Sequence, residues 1–291
     1  MVNLTNMGNQ QILREFAVIG NPIDHSLSPI LHNEVFNQLK IKSEYSKIKV
    51  ESSNLSKFMN SEKVKKLKGF NVTIPHKTEI MSHLDIINPR AKKIGAVNCI
   101  LKKNDNFWGF NTDWFGFSMA LKKNYISVQN KSILILGAGG VSYAILYALI
   151  QESVSQIFIK NRTEINTKKL INQFKNKYHS CKILDYNSEI LENTQIDIII
   201  NCTPIGMSKF QNNSPLKRDF ILPKHIVIDT IYTPFKTQLL LDSEQNGATI
   251  LNGLDMFIFQ GLASLDIWFE ENISENVDFV KLKEKLIKYI C

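Results

Sequence analysis

Apolar and polar positions follow two different rhythms along this chain, and the change falls near residue 113. Before it, Glu15 to Ile19 predicts a strand, and Pro29 to Leu39 predicts a helix with Ile30, Leu31, Val35 and Phe36 on one face. Glu44 to Val50 and Gly69 to Thr73 predict two more strands, and Asn98 to Lys102 with Phe107 to Phe110 predicts a hairpin around Asn104 and Asp105. From Ser132 the rhythm becomes strand, helix, strand, with strands expected at 132–136, 156–160, 182–184, 196–200 and 226–230 and helices between them. That alternation predicts a parallel, doubly wound sheet. After Thr249, two helical stretches, Gly253 to Phe269 and Val277 to Tyr289, continue no strand and are expected to pack back on the first part. The class is α/β with two domains: residues 1–113 plus 253–291 form one, and residues 114–252 the other.

Charge changes this picture little. Lys and Arg exceed Asp and Glu by 35 to 27, a net charge of +8, but only Arg14, Arg90, Arg162 and Arg218 are arginines. Bidentate phosphate and guanine contacts favour Arg, so scattered lysines read as solvated faces, and no nucleic-acid partner is expected. Cys99, Cys181, Cys202 and Cys291 have no C-x-x-C spacing and the six histidines are dispersed, which predicts neither a metal site nor a disulfide framework. The first dozen residues lack the apolar core of a signal peptide, and the longest apolar stretch, Val141 to Ile150, is too short for a bilayer. A reduced, cytoplasmic chain without a membrane partner is the expectation.

Candidate chemistry begins where SILILGAGGVSYAILYALI runs an apolar strand into Gly137, Ala138, Gly139, Gly140 and Val141 and then a helix. A pyrophosphate can rest on a helix N-terminus only if the backbone turns tightly and carries no side chains there, so this segment predicts a Rossmann-type dinucleotide site. Ser142 stands at the third small position, where close packing tolerates it. About 20 residues on, where NAD sites usually carry an acidic residue, this chain has Asn161, Arg162 and Thr163. Arg162 argues for a 2′-phosphate and hence NADP, while Glu164 and Asn166 keep NAD open.

In the first part, polar residues collect at the ends of elements. HSLSP carries Ser26 and Ser28 before Pro29, GFNVTIPHK carries Asn71, Thr73 and Lys77, GAVNC carries Asn98 and GFNTDWFGF carries Asp113. Ser28 before Pro29 also matches an N-cap with Pro at N1, and Asp113 matches a cap of a helix starting near Thr112. Pro75 is expected to open a helix, which would put Lys77 in a first turn, an unfavourable place for a cation. With GAGG, NRT, NCTPIGM at 201–207, DTIY at 229–232 and GLDMFIFQG at 253–261, the chain resembles the shikimate dehydrogenases over nearly its whole length.

That resemblance implies an oxidoreductase that reduces 3-dehydroshikimate to shikimate with NADPH, in the pathway to chorismate and the aromatic amino acids. By resemblance, Lys77 and Asp113 form a catalytic dyad, Ser26 and Ser28 hold the shikimate carboxylate, and Asn71, Thr73, Asn98, Tyr232 and Gln260, with Asp113, surround the substrate ring. It likewise implies a cofactor site of residues 137–141 and 161–163 with Thr203, Met207, Thr230 and Gly253. The partner is a small molecule, and the chain is expected to be a monomer or homodimer. Two rivals stay open: a quinate/shikimate dehydrogenase using NAD, and a noncatalytic nucleotide-dependent binding module, which would be expected to have lost Lys77 or Asp113.

Overall fold

A computed structural model describes residues 13–175, 181–186 and 195–290. The expected first strand is β1 (Arg14–Gly20), followed by α1 (Ser28–Gln38) and β2 (Ser43–Lys49). Two short helices, α2 (Leu55–Met59) and α3 (Glu62–Lys66), then lead to β3 (Leu67–Val72). A two-residue β4 (Ile86–Ile87) and α4 (Pro89–Ile94) precede the hairpin of β5 (Cys99–Lys103) and β6 (Asn106–Phe110). Asn104 and Asp105 turn that hairpin with φ of 50° and 59°, the left-handed backbone that Asn and Asp accept at least cost. These strands form one mixed sheet in the order β2-β1-β3-β5-β6-β4.

α5 (Asp113–Lys123) leads into the second sheet. There β7 (Ser132–Leu136), α6 (Gly140–Gln151), β8 (Gln156–Lys160), α7 (Glu164–Lys175) and β9 (Lys182–Asp185) wind to one side. β10 (Ile198–Asn201), β11 (Ile226–Asp229), α8 (Gln238–Gln245) and β12 (Thr249–Leu251) wind to the other. All strand pairs are parallel, in the order β12-β11-β10-β7-β8-β9, so the direction of winding reverses between β7 and β10. Ligands of open parallel sheets bind at such a point, outside the carboxyl ends of the strands. β7 is buried along its whole length, as the apolar run Ile133 to Leu136 requires.

α9 (Leu254–Phe269) and α10 (Phe279–Ile287) close the chain. Leu254, Ile258, Leu265, Leu282 and Leu286 join Phe16, Val18, Leu31 and Phe36 in one buried cluster against the first sheet. Trp268 donates its indole N–H to Ile100 O at 2.9 Å and approaches β3 so closely that a Cβ at Gly69 would sit 2.4 Å from its ring. α5 runs beside α9, and a Cβ at Gly116 would lie 2.6 Å from Met256 O.

Three sequence expectations need correction. Pro75 opens no α-helix: residues 74–78 form a turn followed by a 3₁₀ segment at Glu79–His83, and Val97 N–H takes the Lys77 carbonyl at 2.7 Å, away from helical pairing. Thr249 to Leu251, absent from the expected strands, forms an edge strand, short enough for β11 pairing to decide what propensity does not. No α-helix joins β10 to β11: Pro204, Pro215 and Pro223 punctuate that stretch, which holds only 3₁₀ turns at Ser208–Phe210 and Arg218–Phe220. The helix expected between β9 and β10 falls largely on residues 187–194, outside the described residues.

Candidate active site

The cofactor-type residues gather at the carboxyl ends of the central parallel strands. Beyond β7, Gly137 turns the chain with φ of +102°, and a Cβ there would lie 3.0 Å from Cys202 O, so both the conformation and the space call for glycine. Beside Gly139 nothing lies within 4 Å of where a Cβ would project, so the backbone is bare on that side. α6 starts at Gly140 with no side chain capping its first turn, leaving amide N–H groups for an anion. Ser142 fits the third small position because it is fully buried and its Oγ donates to Gly137 O at 3.0 Å. These features fit a dinucleotide pyrophosphate.

The end of β8 fits a phosphorylated ribose. Arg162 is exposed, and among the described residues it forms no ion pair. Glu164, the residue that argued for NAD, reaches along α7 to Lys168 Nζ at 2.6 Å, and that partner holds its carboxyl below the usual range. Asn161 donates Nδ2 to Thr163 O at 2.9 Å, which shapes the turn. At the end of β10, Asn201 Oδ1 accepts from Thr203 N and Oγ1 at 3.0 and 2.7 Å, and Gly206 has φ of +111° just before Met207. Beyond β11, Thr230 Oγ1 donates to Asn201 O at 2.9 Å. Gly253 packs so closely that a Cβ would lie 2.2 Å from Thr230 O.

The substrate-type residues come from six segments. Lys77 Nζ forms an ion pair with Asp113 Oδ2 at 2.7 Å, with side chains 12% and 6% exposed. Asn98 Nδ2 donates to Asp113 Oδ1 at 2.8 Å and lies 3.3 Å from Gln260 Oε1. Asn71 Nδ2 donates to Asn98 O at 3.1 Å. Ser26 Oγ donates to Ser28 Oγ at 3.1 Å, and Tyr45 links the serines to this cluster by reaching Ser28 and donating its hydroxyl to Asn71 Oδ1 at 2.7 Å. Tyr232 stacks on Phe257 at 4.2 Å beside Ser26, and burial pushes its hydroxyl up to about 12. Thr73 stands just past β3 but has no side-chain hydrogen bond to the group; its methyl rests near Gly20.

The capping alternatives do not hold. Ser28 is the first residue of α1, whose start carries no side-chain cap, and its Oγ accepts from Ser26 Oγ at 3.1 Å. Asn111, not Asp113, caps α5, its Oδ1 accepting from Asp113 N at 3.1 Å and Trp114 N at 3.4 Å. Asp113 is thereby free to face Lys77. The two halves meet here, since a Cβ at Gly140 would lie 2.8 Å from Lys77 Cβ.

Several residues were not singled out from sequence. Ser264, fully buried on α9, accepts from Asn71 Nδ2 at 2.9 Å, lies 3.2 Å from Thr112 Oγ1 and donates to Gln260 O at 2.9 Å. It follows Gln260 by one helical turn, which is the signal that could have found it. Thr112 and Tyr45 have no such signal. Cys99 and Cys202 are buried, and burial pushes both thiols up to about 12, which suits packing and not thiolate chemistry. No group of His, Cys, Asp and Glu among the described residues could hold a metal.

A dinucleotide crevice pressed against a buried lysine–carboxylate pair is the layout of a nicotinamide-dependent oxidoreductase. Residues 18–100 match the shikimate dehydrogenase substrate binding domain, and residues 119–213 match the shikimate/quinate 5-dehydrogenase model. The NADP(+) shikimate dehydrogenase of Methanosphaera stadtmanae is 42% identical over 255 residues, 87% of this chain and 90% of its own. A shikimate dehydrogenase solved in complex with NADP+ superposes with a TM-score of 0.82 at 35% identity, covering 96% of each chain. Shikimate 5-dehydrogenase of Listeria monocytogenes, solved with shikimate and NAD, gives 0.82 at 31% identity over 98% of this chain and 100% of that one. The chain belongs to the shikimate dehydrogenase family.

Proposed function

We propose that this protein is an NADP-dependent oxidoreductase that interconverts 3-dehydroshikimate and shikimate, a step toward chorismate and the aromatic amino acids. The observation that carries this is the Lys77–Asp113 pair, buried and lying directly against the glycine turn. Residues 1–113 with 253–291 serve as the substrate domain and residues 114–252 as the cofactor domain.

When bound, NADPH supplies the hydride. The protein's own residues do the rest. Lys77 Nζ gives a proton to the ketone oxygen as that carbon is reduced, and takes it back in the reverse direction. Asp113, 2.7 Å away, orients Nζ and keeps its charge paired; Asn98 in turn fixes Asp113. Ser26 and Ser28 take the substrate carboxylate, while Asn71, Thr73, Asn98, Tyr232 and Gln260, with Asp113, take the ring hydroxyls. Asn71 has both amide protons committed to Asn98 O and Ser264 Oγ, so toward substrate it acts as an acceptor through the second lone pair of Oδ1. Gly137 to Val141 hold the pyrophosphate, Asn161 to Thr163 the phosphorylated ribose, and Thr203, Met207, Thr230 and Gly253 the nicotinamide end.

The exposed Arg162 and the paired Glu164 favour NADP over NAD. No helix among the described residues is long and apolar enough to cross a membrane. The reading is of a cytoplasmic enzyme working on small molecules, as monomer or homodimer. Initial rates of shikimate oxidation with NADP+ and NAD+ in parallel, with quinate as second substrate, test this reading. Preference for shikimate with NADP+ is expected; faster turnover of quinate or with NAD+ would move the assignment to the broader dehydrogenase, and no turnover with any pair would overturn it.

A further inference from the structure

Asp229 ends β11 and is fully buried. A carboxylate removed from water ordinarily sits against a cation. Among the described residues this one has only neutral donors: Asn201 Nδ2 lies 3.1 Å from both its oxygens, the Ile231 N–H donates at 3.0 Å and Thr237 Oγ1 at 2.7 Å. Burial pushes the carboxyl up to about 6 against the pull of those donors, so the arrangement is costly. An amide in its place would turn an NH2 toward other donors; a carboxylate accepts from all three at once.

Each donor leads to a different part of the site. Asn201 also donates Nδ2 to Ile205 O at 3.1 Å and accepts from Thr203 through Oδ1, which fixes the loop carrying Thr203 and Met207. The Ile231 amide belongs to the residue just before Tyr232. Thr237 caps α8, accepting from Leu240 N at 3.4 Å, and its side chain packs near Gly206. We propose that Asp229 is a positioning residue for the reaction: it ties the cofactor-facing loop and the substrate-facing tyrosine to one point, registering the two reactants against each other. The proposal rests on the function given above, although Asp229 touches neither reactant.

The test compares wild type, Asp229→Asn and Thr237→Val, the last removing one donor while keeping the carboxylate and the side-chain shape. Steady-state constants are measured for shikimate and NADP+, and inhibition by 2′,5′-ADP reports on the adenosine end alone. Asp229→Asn is expected to lose about a hundredfold in kcat/KM for both substrates, the scale of a misplacement near 1 Å, with 2′,5′-ADP inhibition within twofold of wild type. Thr237→Val is expected to lose several-fold in the same two constants. Should Asp229→Asn prove insoluble, Thr237→Val carries the test. Wild-type kcat/KM in Asp229→Asn, or in Thr237→Val if it stands alone, overturns the proposal, as does 2′,5′-ADP affinity falling in step with turnover. A wild-type protein without shikimate turnover would instead take down the proposed function.

Discussion

The glycine turn and the cluster around Lys77 and Asp113 touch at Gly140 and Lys77, yet they are made in different ways. The turn is local and built from backbone: one strand, three glycines and the first turn of α6 supply its bare amides within a dozen residues. The cluster is side chain on side chain, with Asn71, Asn98, Asp113 and Ser264 drawn from β3, the β5 entry, α5 and α9 into one hydrogen-bonded unit. A backbone site keeps its shape while its strand and helix survive. A side-chain network instead fails at single atoms, because each buried polar group that loses its partner keeps its full desolvation cost.

Substitutions can break that contrast or sharpen it. The largest effect is expected from Lys77→Ala, which should lower kcat by roughly two to four decades, the usual worth of a positioned acid–base group, while NADP+ affinity in a fluorescence titration stays within a few-fold. Arg162→Ala probes the opposite half. Loss of a charged contact to a 2′-phosphate, about 1.5–3 kcal/mol, should raise the KM for NADP+ roughly tenfold to a hundredfold and leave that for NAD+ unchanged. Equal changes with both cofactors would remove Arg162 from recognition.

Ser264→Ala leaves Asn71 Nδ2 with one buried acceptor fewer, so the KM for shikimate should rise about tenfold with the KM for NADP+ unaltered. An unchanged KM for shikimate would mean that the cluster is not held from α9. The smallest effect concerns stability. His32 is fully buried against Tyr45 at 4.2 Å, and burial pushes its imidazole down to about 3. The unfolded chain takes up a proton near pH 6.5 and the folded chain does not until about 3, so stability is lost as pH falls between those values, at most about 1.4 kcal/mol per unit. His32→Gln should therefore show a shallower fall in urea midpoint from pH 7 to pH 5 than wild type; parallel profiles would exclude His32 as the source.

How much was readable follows the same division. SILIL and the glycines after it announce themselves because strand, turn and helix are adjacent in sequence, and β7 and β8 lie where the pattern predicts. Ser26, Ser28, Asn71, Asn98 and Gln260 could be named only through the family motifs, since nothing local separates a ligand-facing Asn from a turn Asn. Tyr45 carries no local signal, because its role exists only once β2 pairs with β1, and Ser264 shows only its spacing of one helical turn from Gln260. The helix expected at Pro75 failed for a related reason: a partner 20 residues away, Val97, takes the Lys77 carbonyl. Asp229 lay in plain view in DTIY, but its burial and its three donors are properties of the folded molecule.

The most direct trial of the dyad is a double-mutant cycle on kcat with Lys77→Ala, Asp113→Asn and the pair together, under saturating shikimate and NADP+. Two groups 2.7 Å apart that act as one unit should give a double variant no slower than the worse single, within a few-fold. Losses that simply multiply would show that Lys77 and Asp113 act independently, and would contradict a proton-handling pair at the centre of this site.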